Sequence, residues 1–196
     1  MSAADLSPVA CAAFLIAAFT IGGACHTAWL ATPGSRRFAI PLDGGLTLGG
    51  RRLLGDNKTI RGFIVMVPAT SLAFMVLAAL LSTLTGEMKG LWPLSPTGYA
   101  LLGAWGALGF MAGELPNSFI KRQLGIRPGE AAEGRLTAPL FFLVDRLDSS
   151  LGLMLALSFA VPVPLGFWFL VGLVGPALHG LFSVALFRLG AKARPA

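Results

Sequence analysis

Charged residues are nearly absent from five stretches of this chain, 8–31, 62–84, 98–120, 139–160 and 163–187. Each stretch is long enough to cross a hydrocarbon core of about 30 Å. Apolar residues run through them in blocks, without the one-sided stripe of a helix laid on a soluble core, so the pattern predicts helices with apolar surroundings on all sides. The first stretch is uncharged, as the core of a signal peptide would be. It has no basic segment before it, since Asp5 is the only charge there, and it is long, so it is read as a retained helix. The expected fold class is an all-α integral membrane protein of about five transmembrane helices. No internal repeat and no linker divides the chain.

Composition agrees with that pattern. Of 196 residues, 55% are hydrophobic and 12% charged, about half the charged fraction of an average soluble domain. Lysine and arginine are distributed unevenly. The first connection holds Arg36, Arg37, Arg51, Arg52, Lys58 and Arg61, the third holds Lys121, Arg122, Arg127 and Arg135, and the tail holds Arg188, Lys192 and Arg194. The second connection holds only Lys89, and the fourth, around 161–164, holds none. The excess of positive charge on cytoplasmic loops then places Met1 and the connection near Lys89 outside. It places the connections at 32–61 and 121–138 and the C-terminus at Ala196 on the cytoplasmic side. The net charge of +6 belongs to one face of a membrane protein and suits anionic headgroups. Nucleic-acid binding is the weaker reading, because no soluble domain presents a basic groove.

Cys11 and Cys25 share the first helix and stand 14 positions apart, about 21 Å along a helix, so they do not pair and read as small packing residues. His26 and His179 lack neighbours at metal-ligand spacing and read as satisfied polar residues or headgroup contacts. Trp29, Trp92, Tyr99 and Trp168 fall where an aromatic belt would lie. Gly109 and Gly113 form a G-x-x-x-G on the third helix, which suits close helix packing.

The stretch FFLVDRLDSSLG, 141–152, places Asp145, Arg146 and Asp148 inside the fourth span, where each charge at a bilayer centre costs roughly 2.5–3.5 kcal/mol. Asp145 lies about six residues, or roughly 9 Å, from the inner end of its helix. Glu114 lies about six residues from the inner end of the third helix, so the acids share a depth. Asp145 and Asp148 are three apart and face the same way, as do Glu114, Ser118 and Lys121 if Pro116 leaves the turn intact; Pro116 is expected to bend or unwind it. Carboxylates at one depth call for a cation, and two or three such oxygens suit Mg²⁺, which takes substrate phosphates as further ligands. Lys121, Arg122 and Arg127 would hold those phosphates. Structural ion pairs, Asp145–Arg146 or Glu114–Lys121, are the plainer reading, but they leave Asp148 without a partner, and intramembrane charges are functional by default.

The first connection, PLDGGLTLGGRRLLGDNKTIRGF over 41–63, is a long glycine-rich loop expected on the cytoplasmic side between helices 1 and 2. Its Gly55-Asp56-Asn57-Lys58-Thr59 has the composition of a phosphate-cradling turn, though not the spacing of a Walker A. An ordinary juxtamembrane loop explains it alone; facing the same side as the acids, it gains weight.

Ser118-Phe119-Ile120-Lys121-Arg122 followed by Asp145-Arg146-Leu147-Asp148 resembles the S-x-x-K-R … D-R-x-D pattern of membrane CTP:phosphatidate cytidylyltransferases. The whole chain more closely resembles their small relatives, the CDP-archaeol synthases. It offers Pro41-Leu42-Asp43-Gly44-Gly45, then Gly55 to Gly62, then Gly113-Glu114-Leu115 with Ser118 to Arg122, then Asp145 to Asp148, in order over 41–152. Glu114 stands where the family has aspartate, and Ile60 where an aromatic residue is expected. The lysine-aspartate and histidine-glycine-glycine elements of the larger phosphatidate enzymes are missing between Arg122 and Asp145, which leaves the identity of the lipid open.

The resemblance implies a single transmembrane catalytic domain over 1–196 that joins CTP to a lipid phosphate, giving a CDP-lipid and pyrophosphate with Mg²⁺. Asp145, Asp148, Lys121 and Glu114 are the expected catalytic residues, with Asp145, Asp148 and Glu114 on the metal. Lys58, Thr59, Arg61, Asn57, Ser118, Arg122 and Arg146 are expected around the nucleotide phosphates. Two other classes remain: a CTP-dependent lipid or polyprenol kinase, which would cut CTP between its β- and γ-phosphates, and a small ion or solute transporter. A transporter predicts acids spread across the membrane depth, and the outer half of this chain has almost none.

Overall fold

The computed structural model describes residues 2–86 and 88–190; the expectations for Met1, Lys192, Arg194 and Ala196 lie outside the described residues. Five long helices carry the fold: α1 Pro8–Leu30, α2 Ile60–Thr85, α3 Pro96–Gln123, α4 Thr137–Ala160 and α5 Leu165–Arg188. Their bounds fall within a few residues of the apolar stretches, because serine–proline pairs start two of them. Ser7 accepts the Ala10 N–H ahead of Pro8, and Ser95 accepts the Gly98 N–H ahead of Pro96, satisfying amide groups that a first turn leaves open. Gly86, at φ 71°, ends α2 in the left-handed region.

Three helices, α1, α2 and α5, are long and apolar enough to cross a membrane. The other two carry the charged residues: Glu114, Lys121 and Arg122 on α3, and Asp145, Arg146 and Asp148 on α4. Each helix packs against its neighbours in sequence, and α1 also packs against α5, so the five close into a ring. Outward positions such as Leu72, Leu101, Phe159, Phe169 and Leu173 are exposed, as a hydrocarbon solvent requires.

One end of the ring is plugged by aromatic side chains. Phe14 meets Phe74 edge-on at 5.2 Å and Tyr99 at 5.0 Å, and Trp92 meets Phe167 at 6.1 Å. Trp92 and Tyr99 are 1% and 0% exposed, which corrects their assignment to an aromatic belt. The Trp92 indole N–H donates to the Pro162 carbonyl at 2.9 Å, and the Tyr99 hydroxyl to the Trp92 carbonyl at 2.7 Å. With polar tips satisfied inside the protein, both rings serve as packing. Trp29 stacks on Phe38 at 5.8 Å.

The opposite end carries the two long connections. After a 3₁₀ turn at Pro33–Phe38, the first connection is zipped at its base: Leu42 N–H bonds the Lys58 carbonyl at 2.8 Å and Ile60 N–H the Ile40 carbonyl at 3.0 Å. Inside it, β1 Thr47–Leu48 pairs antiparallel with β2 Arg51–Arg52. The turn between them is Gly49-Gly50, at φ 58° and 77°, the backbone a two-residue hairpin needs and glycine supplies without strain.

α3 and α4 approach at bare backbone. A Cβ at Gly109 would lie 2.7 Å from the Gly152 carbonyl oxygen, and one at Gly113 would lie 2.9 Å from the Gly152 Cα, so the G-x-x-x-G face is a helix contact. α3 runs as one helix through Pro116; the expected unwinding does not occur, since packing against α4 supports the turn that the proline weakens. Replacing Gly152 by Val should therefore force the two helices apart and cost about 1–3 kcal/mol or more, read as a lower unfolding temperature in detergent. Gly172→Ala, where a Cβ meets nothing within 4 Å, should be neutral or stabilise by up to about 1 kcal/mol.

Candidate active site

Between the aromatic plug and the two connections the ring encloses a cleft of about 1020 Å³. Its deep walls are apolar, with Leu15, Phe19, Leu153 and Val171, and its mouth is lined by charged side chains from both connections and from α3 and α4. The eleven expected catalytic and phosphate-binding residues border this one cleft, whereas Arg127, also expected at the phosphates, does not line it. Asn57, Lys58, Thr59 and Arg61 reach it from the first connection and the start of α2. Glu114, Ser118, Lys121 and Arg122 reach it from α3, and Asp145, Arg146 and Asp148 from α4.

The α3–α4 contact arranges the acids. Asn117, 6% exposed, donates its amide Nδ2 to Asp145 Oδ1 at 2.6 Å and to Asp148 Oδ2 at 2.9 Å. Lys121 donates to both oxygens of Asp145, at 2.6 Å to Oδ2, and sits 5.5 Å from the Phe141 ring centre. Asp148 also accepts from the Ser149 N–H at 2.7 Å. Glu114 is held separately: its ammonium partner is Lys58, and the Ser149 hydroxyl donates to its Oε1 at 2.8 Å. The ion pairs are thus Lys121–Asp145 and Lys58–Glu114, not Glu114–Lys121 or Asp145–Arg146. Glu114 stands nine residues before the end of α3 and Asp145 eight after the start of α4, deeper than expected because both helices extend further. Across the contact Glu114 meets Ser149 whereas Asp145 meets Asn117 and Lys121, so the two are offset by about one helical turn rather than level. Burial works against the charge of the Lys58 ammonium, but Glu114, then Asp148 and Asp145, outweigh it and raise its pKa.

Arg122 differs from its neighbours. It is 7% exposed, and its Nε and Nη1 have no hydrogen-bond partner. A buried guanidinium without partners is costly unless an anion meets it. Arg146 lies over the Phe142 ring at 4.9 Å. His26 and His179 also border the cleft, and the buried His179 Nδ1 has no partner, so His179 is not the satisfied polar residue expected of it.

The first connection is held over the cleft by Asp43, which is 5% exposed. Its carboxylate pairs with Arg52 at 2.5 Å and accepts the N–H groups of Leu54 at 2.9 Å, Gly55 at 3.0 Å and Gly45 at 3.1 Å. Gly55, at φ 92°, lies so close to the other connection that a Cβ would be 2.9 Å from Pro128. The Gln123 side chain donates to the Arg52 carbonyl at 3.2 Å. Asn117, Ser149 and the clamping role of Asp43 escaped the sequence reading. The one available signal was spacing: Asn117 sits three residues after Glu114 and four before Lys121, on the same helix face.

The donor set suits a hard cation. Two carboxylate oxygens from different residues converge on one point, now taken by the Asn117 amide, and the Asn117 Oδ1 is buried without a partner. No three His, Cys, Asp or Glu side chains among the described residues converge closely enough to hold a metal ion. A cation there would rest on Asp145 and Asp148 and complete its shell from phosphate and water, which is how Mg²⁺ sites are built.

The chain is similar to known proteins over most of its length. The CarS-like CDP-archaeol synthase family matches residues 34–195. A CDP-archaeol synthase of Halobacterium salinarum is 35% identical over 161 residues, 79% of this chain and 82% of its own. One of Aeropyrum pernix is 37% identical over 175 residues, 84% of this chain and 83% of its own. A solved intramembrane enzyme for archaeal membrane lipid biosynthesis superposes with a TM-score of 0.57 at 30% identity, covering 86% of this chain and 89% of that one.

The Arg52 guanidinium, with the three backbone N–H groups, holds the Asp43 carboxyl well below the usual carboxylate range. A depressed folded-state pKa stabilises the connection above the unfolded value of about 3.9 and loses that stabilisation as the pH falls through and below it. The connection should therefore resist limited proteolysis at neutral pH and open only in strong acid, whereas Asp43→Asn should be cut readily at every pH.

Proposed function

This chain belongs to the CDP-archaeol synthase family, and we propose that its cleft is where CTP meets a lipid phosphate drawn from the membrane. The protein is an integral membrane enzyme, a CTP-dependent cytidylyltransferase that makes a CDP-activated lipid. The kinase and transporter readings are set aside with that assignment. The observation that carries the assignment to this cleft is Arg122, whose buried Nε and Nη1 have no hydrogen-bond partner, in a cleft that also holds two convergent aspartates.

The nucleophile is a phosphate monoester, already ionised near neutral pH, so no strong general base is required. Its oxygen forms a bond to the α-phosphorus of CTP while the bond to the β-phosphate bridging oxygen breaks, and pyrophosphate leaves. Arg122, with Lys121, Lys58 and Arg61 around it, binds and orients the triphosphate. Asn57, Thr59, Ser118 and Arg146 supply further donors along the cleft wall. Asp145 and Asp148 hold Mg²⁺, which when bound withdraws charge from the phosphate being attacked. Glu114, paired with Lys58, fixes that lysine from the opposite helix and lies at the edge of the metal position. α1, α4 and α5 flank these groups with apolar side chains.

The whole chain, 1–196, acts as one transmembrane catalytic domain. α3 and α4 span beside the three more apolar helices, their charges turned into the ring. Thirteen of the fifteen lysines and arginines lie in the first and third connections and the tail, so those face the cytoplasm, with the N-terminus outside. CTP does not cross a bilayer, so the mouth of the cleft must open on that side.

Incubation with α-labelled CTP and an archaeol-type or phosphatidate-type acceptor should carry label into the lipid, and chelating divalent cations should stop it; label confined to free nucleotide would count against the reading. Asp145→Asn and Asp148→Asn should each lower turnover by at least about 10²-fold while the protein stays folded. Arg122→Gln should raise the KM for CTP more than that for lipid. Sidedness is checked by single cysteines in a chain lacking Cys11 and Cys25. The exposed Thr47 serves for the inner face and the exposed Thr97 for the outer. The cysteine at Thr97 should react with an impermeant thiol reagent on intact cells, and the one at Thr47 should not.

A further inference from the structure

We propose that Lys121 is the resting counter-ion of the cation position between Asp145 and Asp148, and that it moves from Asp145 onto nucleotide phosphate when a divalent cation arrives. The cation and CTP then bind as a coupled pair. This rests on the cytidylyltransferase reading of the cleft and adds to it an exchange that neither the family nor the site residues specify.

The geometry points to exchange because Asp145 is fully engaged. Its Oδ1 accepts from both Asn117 and Lys121, and its Oδ2 from Lys121 at 2.6 Å. A hard divalent cation needs those same lone pairs, and an ammonium on the same two oxygens would repel it at that short range. Lys121 must therefore leave, and it is only 11% exposed, so leaving without a new anion would strand its charge. The anion is at hand. Arg122, the next residue, has its buried Nε and Nη1 unpaired, so a triphosphate seated there comes within the swing of the Lys121 side chain. Asn117 makes the same exchange easier: its Nδ2 bridges the aspartates while its Oδ1 is buried without a partner, an oxygen that faces the cation position once the amide turns. Lys58 stays outside the exchange, because its partner is Glu114 and not one of the converging aspartates.

Each ligand thus removes an obstacle to the other. The cation alone must strand Lys121, and the nucleotide alone finds Lys121 committed to Asp145. Their joint binding relieves both, which is positive coupling between the two ligands. A lysine that sits permanently on phosphate, or one that only braces the fold, gives no such coupling.

The test uses the detergent-solubilised full chain without lipid acceptor, so that no turnover occurs, with Mn²⁺ as probe and free Mn²⁺ read by electron paramagnetic resonance. The wild type should bind Mn²⁺ weakly alone and at least about tenfold more tightly with CTP, a change of about 1.4 kcal/mol. Lys121→Gln should bind Mn²⁺ alone at least about tenfold more tightly than the wild type, with CTP adding little. Lys121→Arg, which keeps the pair, should retain weak nucleotide-free binding and shows that the site tolerates substitution. Arg122→Gln removes an equal charge that does not touch Asp145 and should leave nucleotide-free Mn²⁺ affinity unchanged while weakening CTP. The exchange is overturned if Lys121→Gln binds Mn²⁺ no more tightly than the wild type, or if Arg122→Gln tightens it equally. A wild type that binds neither Mn²⁺ nor CTP would instead overturn the cytidylyltransferase assignment of the cleft.

Discussion

Contact between α3 and α4 at bare glycine sets the distances in the cleft. Gly109 and Gly113 on one helix face Gly152 on the other so closely that no side chain fits between them. That approach lets the short Asn117 side chain reach two carboxylates on the neighbouring helix at once, and lets Ser149 reach Glu114 in return. Helices separated by ordinary side chains would hold these groups too far apart for direct hydrogen bonds. In lipid, where apolar surfaces gain little from meeting each other, such backbone contacts and interhelical hydrogen bonds are what hold helices together. The same contact therefore serves stability and positions the chemistry.

Charge balance explains the pairing inside the ring. Three carboxylates, Glu114, Asp145 and Asp148, meet two ammonium groups, Lys58 and Lys121, and an amide. Buried charges persist when paired and hydrogen-bonded, and this set is arranged so that each acid has a donor. The cluster lacks one positive charge, which a cation between the two aspartates would supply. Arg122 is the opposite case, a buried guanidinium with its Nε and Nη1 left unpaired. An unmet acid and unpaired donors in one cleft are what the proposed metal-bound polyphosphate would satisfy together.

The helices were legible because apolar blocks read the same way whatever packs against them, and the serine–proline caps add local signals that tertiary contacts do not override. That Glu114 and Asp145 lie in the same half of the bundle was legible for the same reason, but their offset of about one turn was not, because it depends on how α3 and α4 register against each other. The partners of the charges were not. Pairing Glu114 with Lys121 follows from spacing on one helix, but Lys58 arrives from another connection and takes the carboxylate first. Asn117 and Ser149 are uncharged and common in helices, so nothing in composition marks them. Pro116 misled in the same way, because local propensity favours unwinding and the close α3–α4 contact overrides it. Trp92 and Tyr99 look interfacial by position, yet each finds a carbonyl inside the bundle.

A ring of five helices with an aromatic plug at one end is a cup, and a cup suits a reaction whose substrates differ so much in solubility. CTP is a polyanion that needs buried cations and access to water. The lipid phosphate needs an apolar wall for its chains and a polar mouth for its headgroup. The cleft presents both environments in sequence along its depth, from Arg122 and Lys121 near the connections to Leu15, Leu153 and Val171 near the plug. The plug makes the arrangement one-sided, since Phe14, Phe74, Tyr99 and Trp92 fill the space that a through-channel would need. The intramembrane charges are thus confined to one half of the protein, around one cleft whose polar mouth suits a soluble nucleotide and whose apolar wall suits a membrane-bound acceptor.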